Sequence, residues 1–177
     1  MTGKTVFQTP WFSVEESQAQ MTSGDDTLSQ FYKINQPPGV VALPITRDGN
    51  FVLIRQLRPA LSKMTLEFPA GCIDQGETPI AAMGRELIEE TGYVSNDIIE
   101  VGNGVLRVDR EDAINTFFVA LDAEQKAGRT PEAGVEVLTV TPLEFSELLR
   151  HNQFDHIAAL PIFLMAEIAL GRTLLTN

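Results

Sequence analysis

Apolar positions along the chain fall into short runs separated by turn residues, and their spacing changes from run to run. Residues 40–46 read as a buried strand, Asp48-Gly49 as a hairpin turn, and residues 51–57 as the returning strand. Further strands are expected at residues 98–106, loosened by Gly102 and Gly104, at 115–121, and at 135–140. Helical signals alternate with these. Thr78 is a good N-cap, Pro79 suits the first helical position, and Gly92 suits a left-handed stop. Thr141, Pro142 and Glu144 spell a capping box for a second helix ending near Arg150. A third helix is expected over residues 155–170, stopped by Gly171. Strands and helices mix without a βαβ rhythm, so the predicted class is α+β, a mixed sheet between helices.

The first 39 residues read differently. Trp11, Phe12 and Val14 fall in a candidate strand, Gly24-Asp25-Asp26 in a turn, and residues 28–34 in a return strand. Pro37-Pro38-Gly39 then interrupts the chain like a linker. This stretch is too small to bury a core of its own. It is expected to be a β-appendage, residues 1–39, on a main domain of residues 40–177.

Composition narrows the functional classes. A length of 177 residues favours one main core, and a net charge of −11 excludes a protein that coats nucleic acid. An anionic substrate would have to be met by local cations. With Cys72 as the single cysteine there is no intrachain disulfide, and a reducing, cytoplasmic setting is expected. Cys72 itself is expected to be a small buried filler. No signal-type apolar run opens the chain, and residues 157–170 are too short to span a bilayer, so no membrane partner is expected.

The first predicted helix carries the densest chemistry. Arg85, Glu86, Glu89 and Glu90 share one face at helical spacing, while Ile80, Gly84, Leu87 and Ile88 are expected on a packed one. Carboxylates one turn apart repel. Either a hard divalent cation resolves the conflict, or the face is a solvated acidic surface with an internal Arg–Glu pair.

The wider spacing resembles a known family. Gly71, five residues, Glu77, seven residues, Arg85-Glu86, Leu87, one residue, Glu89-Glu90, one residue and Gly92 match the Nudix box, with Tyr93 aromatic where the family prefers an aliphatic. The preceding Glu67-Phe68-Pro69-Ala70-Gly71 resembles the branch containing ADP-ribose pyrophosphatases and other nucleoside-diphosphate-sugar hydrolases. The resemblance implies an α/β/α sandwich and Mg²⁺-dependent hydrolysis, with Mn²⁺ able to substitute, of a nucleotide-derived small molecule. Glu86, Glu89 and Glu90 would hold the metal with the Ala70 carbonyl. Arg85 and Glu89 would serve catalysis, and Gly71, Glu77 and Gly92 would fix the geometry.

A further Glu from a distal loop would handle the water. Glu132 is the first candidate and Glu136 the second. Arg55, Arg58 and Glu67 are candidate substrate contacts, Arg58 standing in a Gln-Leu-Arg triplet where the family often has an aromatic in the middle. The resemblance also implies a homodimer through the appendage, with Trp11 a candidate to stack on the base. His151 and His156 are expected to be cap or surface residues.

The branch's substrate markers are missing. No proline stands at residues 107–109, no tyrosine follows Tyr93, and there is no Ser-Gln-Pro-Trp-type run. A nucleoside diphosphate sugar is expected, with nucleoside triphosphates as the enzymatic alternative. A non-catalytic binding module of the same fold is disfavoured by the intact box carboxylates.

Overall fold

The structure, a computed structural model, describes residues 3–20 and 27–175. Contacts divide the chain into two units, Met1–Pro38 with Gly104–Asn115, and Gly39–Asn103 with Thr116–Asn177.

In the smaller unit, β1 (Lys4–Gln8), β2 (Ser13–Gln20) and β3 (Leu28–Asn35) form a three-stranded antiparallel sheet in that order. Trp11 lies in the connection between β1 and β2, not in a strand as expected. Pro10 cannot donate to a ladder, and Thr9 Oγ1 instead accepts from the Trp11 and Phe12 amides at 3.1 and 3.0 Å. The turn expected at Gly24-Asp25-Asp26 lies outside the described residues. The charged segment after residue 104 joins this unit: Ile34 N donates to Arg110 O at 2.8 Å, and Lys33 pairs with Asp112 at 2.9 Å. Only Ser17 is buried along these three strands, so the sheet has no apolar core of its own.

The larger unit is built on β4 (Gly39–Thr46), β5 (Phe51–Arg58), β6 (Lys63–Glu67), β7 (Ala70–Cys72), β8 (Tyr93–Val94), β9 (Asp97–Val105), β10 (Ile114–Gln125) and β11 (Glu136–Val140). The main path runs β11-β5-β4-β10-β8, with β6 on β5, β7 on β4 and β9 on β10. Helices α1 (Pro79–Thr91), α2 (Pro142–Arg150) and α3 (Pro161–Leu170) cover it. Gly49 sits at φ 80° in the predicted β4–β5 turn.

Side chains alternate across the sheet, and this splits the core. Leu43, Phe51, Leu53 and Leu66 pack with Phe145 of α2 and Phe163 of α3. Five phenylalanines interlock there, Phe51, Phe68, Phe145, Phe154 and Phe163, with neighbouring ring centroids 4.9–5.7 Å apart. On the other face, Val40, Ala42, Phe118 and Ala120 pack against Ala82, Met83 and Leu87 of α1. The result is the expected α+β sandwich with a mixed sheet.

The third predicted helix is shorter than expected. A 3₁₀ turn, Ile157–Ala159, precedes α3, because Pro161 lacks an N–H and fits only a helix's first turn. No described helix is long and apolar enough to cross a membrane.

Candidate active site

Helix α1 starts and stops where its sequence dictates. Thr78 Oγ1 accepts from Ala81 N, and Gly92 at φ 72° closes the helix by donating to Ile88 O. Its buried positions are Ala82, Met83, Leu87, Glu90 and Thr91, whereas Ile80 is exposed. The packed stripe is therefore rotated from the expected one, and it carries Glu90 inward.

Glu90 is only 7% exposed. Its single hydrogen bond to the backbone comes from Ala70 N at 2.8 Å. Burial pushes its carboxyl up to about 7, with the charges of Glu86 and Glu67 adding to the rise. Glu86 is also raised, again chiefly by burial, and Glu89 and Glu132 push it the same way. Gly71 leaves room for it: a Cβ there would stand 2.0 Å from Glu86 Oε1 and displace the carboxylate from this position. Glu89 is the exposed member of the trio.

Arg85 organises the outer edge. Its Nε and Nη2 donate to Glu77 at 3.1 and 2.9 Å, its Nη1 donates to Glu86 at 2.7 Å and Glu89 at 3.2 Å, and Nη2 also reaches Cys72 O at 3.0 Å. These bonds raise the guanidinium further above its already high value, so it stays charged. Cys72 contributes this carbonyl from an exposed position, not as the expected buried filler.

Among the described residues, no three His, Cys, Asp or Glu side chains are already gathered around a common point. The hydrogen bonds explain this. Arg85 holds Glu86 and Glu89 at 2.7 and 3.2 Å, while Ala70 N holds Glu90 at 2.8 Å. The donor set nevertheless fits a hard divalent ion: oxygen ligands only, two of them raised by burial, beside a glycine that leaves room for the Glu86 carboxylate.

The two distal glutamates separate. Glu132 N donates to Glu89 O at 2.9 Å, and Lys126 N to Gly92 O at 2.9 Å. The loop thus satisfies carbonyls at the end of α1, and Glu132 is close enough to raise Glu86 electrostatically. Glu136 is in register with Arg55, which is in register with Leu66. Leu66 belongs to the phenylalanine-rich face, so Arg55 and Glu136 project away from α1, where they pair at 3.4 Å. Arg55 lines a groove there with Leu138, Val140 and Leu143.

Arg58, on the α1 face, makes a two-pronged bond to Glu67, Nε to Oε1 at 2.8 Å and Nη2 to Oε2 at 2.6 Å. Burial works to raise the Glu67 carboxyl, but bonds from Arg58 and Thr65 outweigh it and hold it below the usual range. His156, expected as a cap or surface residue, stands at the N-cap position of the 3₁₀ turn and is half-buried beside this pair, where the folding of the segment after α2 onto β6 puts it. Nothing in its sequence neighbourhood signals that burial. His151 is exposed, as expected. Trp11 is 76% exposed in the smaller unit.

Residues 35–160 match the Nudix domain. The chain belongs to the Nudix family. An ADP-ribose pyrophosphatase of Bacillus subtilis (strain 168) is 31% identical over 111 residues, 61% of this chain and 60% of that protein. An ADP compounds hydrolase of Escherichia coli (strain K12) is 30% identical over 95 residues, 54% of this chain and 50% of that protein. The chain thus matches less than two thirds of either relative's length. A crystal structure of an ADP compounds hydrolase has the same fold, with a TM-score of 0.80 at 22% identity over 97% of this chain and 92% of that one. Nudix hydrolases generally use divalent metals.

Proposed function

We propose that this Nudix protein hydrolyses the pyrophosphate bond of a nucleoside diphosphate joined to a sugar-like moiety, giving a nucleoside monophosphate and a phosphorylated product. The observation that carries the reading is the pair of carboxylates on α1, buried Glu90 and half-buried Glu86, whose carboxyls burial raises and whose neighbour across β7 is Gly71. Relatives named for ADP-ribose and ADP compounds support this substrate class.

Glu86, Glu90, Glu89 and the Ala70 carbonyl would hold Mg²⁺, or Mn²⁺ in its place. When bound, the ion would neutralise phosphate charge and acidify a water. Arg85, anchored by Glu77, keeps the carboxylates spaced and oriented. Glu132 takes the proton of the attacking water as that oxygen bonds to phosphorus and the bridging oxygen departs. Its placement over Glu89 favours it over Glu136. Arg58, fixed by Glu67, offers its remaining N–H edge to a phosphate oxygen.

The smaller unit is read as a homodimer contact. Val6, Phe7 and Leu28 are exposed on a sheet with no core, Trp11 and Phe12 are exposed in its β1–β2 connection, and Trp11 would stack on a base. A monomer by light scattering at micromolar concentration would remove the dimer from the account. The site's setting is read as cytoplasmic.

A product assay over ADP-ribose, GDP-mannose, UDP-glucose, dinucleoside polyphosphates and nucleoside triphosphates with Mg²⁺ tests the substrate reading. Preference for a nucleotide sugar is expected, and preference for triphosphates would replace the reading with a nucleotide-cleansing one.

A further inference from the structure

The segment after α2 is fastened along β6. Asp155 N donates to Leu66 O at 3.0 Å, and Asp155 Oδ2 accepts from Leu66 N at 2.9 Å. The other carboxylate oxygen of Asp155 takes Lys63 Nζ. One residue earlier, Phe154 inserts its ring against Phe68 at 4.9 Å and Phe145 at 5.1 Å. Held from both sides, the chain brings His156 against the Arg58–Glu67 pair. Arg58, Thr65, Glu67, Asp155 and His156 line one pocket of about 290 Å³, walled by Ala60 and Leu61.

His156 Nδ1 is buried with no hydrogen-bond partner among the described residues, while the ring faces the Phe68 carbonyl. A ring donating through Nε2–H there leaves a bare lone pair at Nδ1. That lone pair cannot bond to Glu67, which also accepts only. Glu67 is therefore left to two donors, the Arg58 fork and the Thr65 hydroxyl at 2.6 Å. Thr65 Oγ1 also lies 3.1 Å from Gln56 O, but one hydroxyl proton serves one acceptor, and the carboxylate is the closer and stronger.

We infer that His156 is a positioning residue for Arg58: its ring stands beside Glu67 without offering the carboxylate a donor, so that the fork stays closed and Arg58 presents its remaining Nη1 edge to a substrate phosphate. The inference deepens the hydrolase reading and rests on it for the phosphate. Burial keeps the imidazole neutral by lowering its affinity for a proton; Glu67 pulls the other way, and Arg58 adds to the lowering. Lys63 and Asp155, the other charged groups of this cluster, neutralise each other.

The test combines kinetics with a readout that needs no turnover. His156→Ala should raise KM about five- to tenfold with little change in kcat, the size expected from loosening one charge-assisted hydrogen bond. His156→Gln, which keeps a neutral donor toward Phe68 O, should restore most of the loss. In an Arg58→Ala background His156→Ala should add almost nothing, whereas a purely structural residue would add its full effect. The protein has two histidines, so their imidazole resonances are easily told apart. Titration by ¹⁵N NMR should find His156 below the usual histidine range in the wild type and moved up in Arg58→Ala, with His151 unmoved. If the wild type turns over no compound of the panel, the hydrolase reading fails, and the NMR arm still decides the coupling. Equal effects of His156→Ala with and without Arg58, or a His156 titration indifferent to Arg58→Ala, would overturn the inference.

Discussion

Arg55 and Arg58 lie on the same strand, and the pleat sends them to opposite faces of the sheet. Arg55 meets Glu136 at 3.4 Å, both side chains open to water. Arg58 grips Glu67 at 2.6–2.8 Å, a carboxylate only 7% exposed. Around Arg55 the buried side chains are apolar, phenylalanines prominent among them, and Glu144, Glu147 and Gln153 line its groove with the leucines. Around Arg58 the face holds buried Glu67, Glu90 and Thr65, together with His156. A face built for packing keeps its charges at the rim, where they contribute little. The α1 face retains buried charges that packing alone would have excluded, and the proposed function takes it as the working side.

The contrast can be broken most severely at Glu90. Glu90→Gln keeps the shape but removes the charge, and kcat should fall by roughly 10³-fold or more with KM less affected. Far-ultraviolet circular dichroism should show an unchanged fold.

The next effect concerns stability without metal. Glu90 has its folded value near 7 against an ordinary 4.5, so the apo native state holds an extra proton between those pH values. Apo stability should therefore fall as pH rises through that window, by about 3 kcal/mol in the limit. Glu86 adds to the same sign. Thermal melts at pH 5 and pH 8 in chelator should show the drop, Mg²⁺ should shrink it, and Glu90→Gln should flatten it. A rise from pH 5 to pH 8 would place the strain elsewhere.

Third come the distal glutamates. Glu132→Gln should cost at least ~10²-fold in kcat, within the range for loss of a general base. Glu136→Gln, on the other face, should stay within about twofold, as surface charge changes usually do. The reverse ranking would reject the assignment of the water-handling loop.

The smallest contrast is between the arginines. Arg58→Ala should raise KM by about tenfold or more through loss of a charge-assisted contact. Arg55→Ala should leave both constants nearly unchanged.

Much of this face was legible because its signals are local. Thr78, Pro79 and Gly92 set the limits of α1, and box spacing singled out Glu86, Glu89 and Glu90 as candidates on it. Periodicity did not reveal that Glu90 turns inward, because a buried glutamate runs against the hydrophobic pattern. That Glu136 points away from α1 depends on the pairing of β11 with β5, and register is a long-range property. His156 was unreadable for the same reason: its burial depends on Asp155 finding the β6 backbone, a partner 89 positions away in sequence. The straight final helix was misjudged because an apolar run outweighed Pro161.

The central claim is that the buried carboxylates of α1 hold a divalent cation that drives hydrolysis. Turnover of ADP-ribose to AMP, measured for the wild type and Glu90→Gln across a Mg²⁺ titration and in excess chelator, tests it most directly. The account predicts turnover that vanishes in chelator, returns with Mg²⁺ in the wild type, and stays crippled in Glu90→Gln at saturating Mg²⁺. Full turnover in chelator, or near-wild-type kcat for Glu90→Gln, would contradict it.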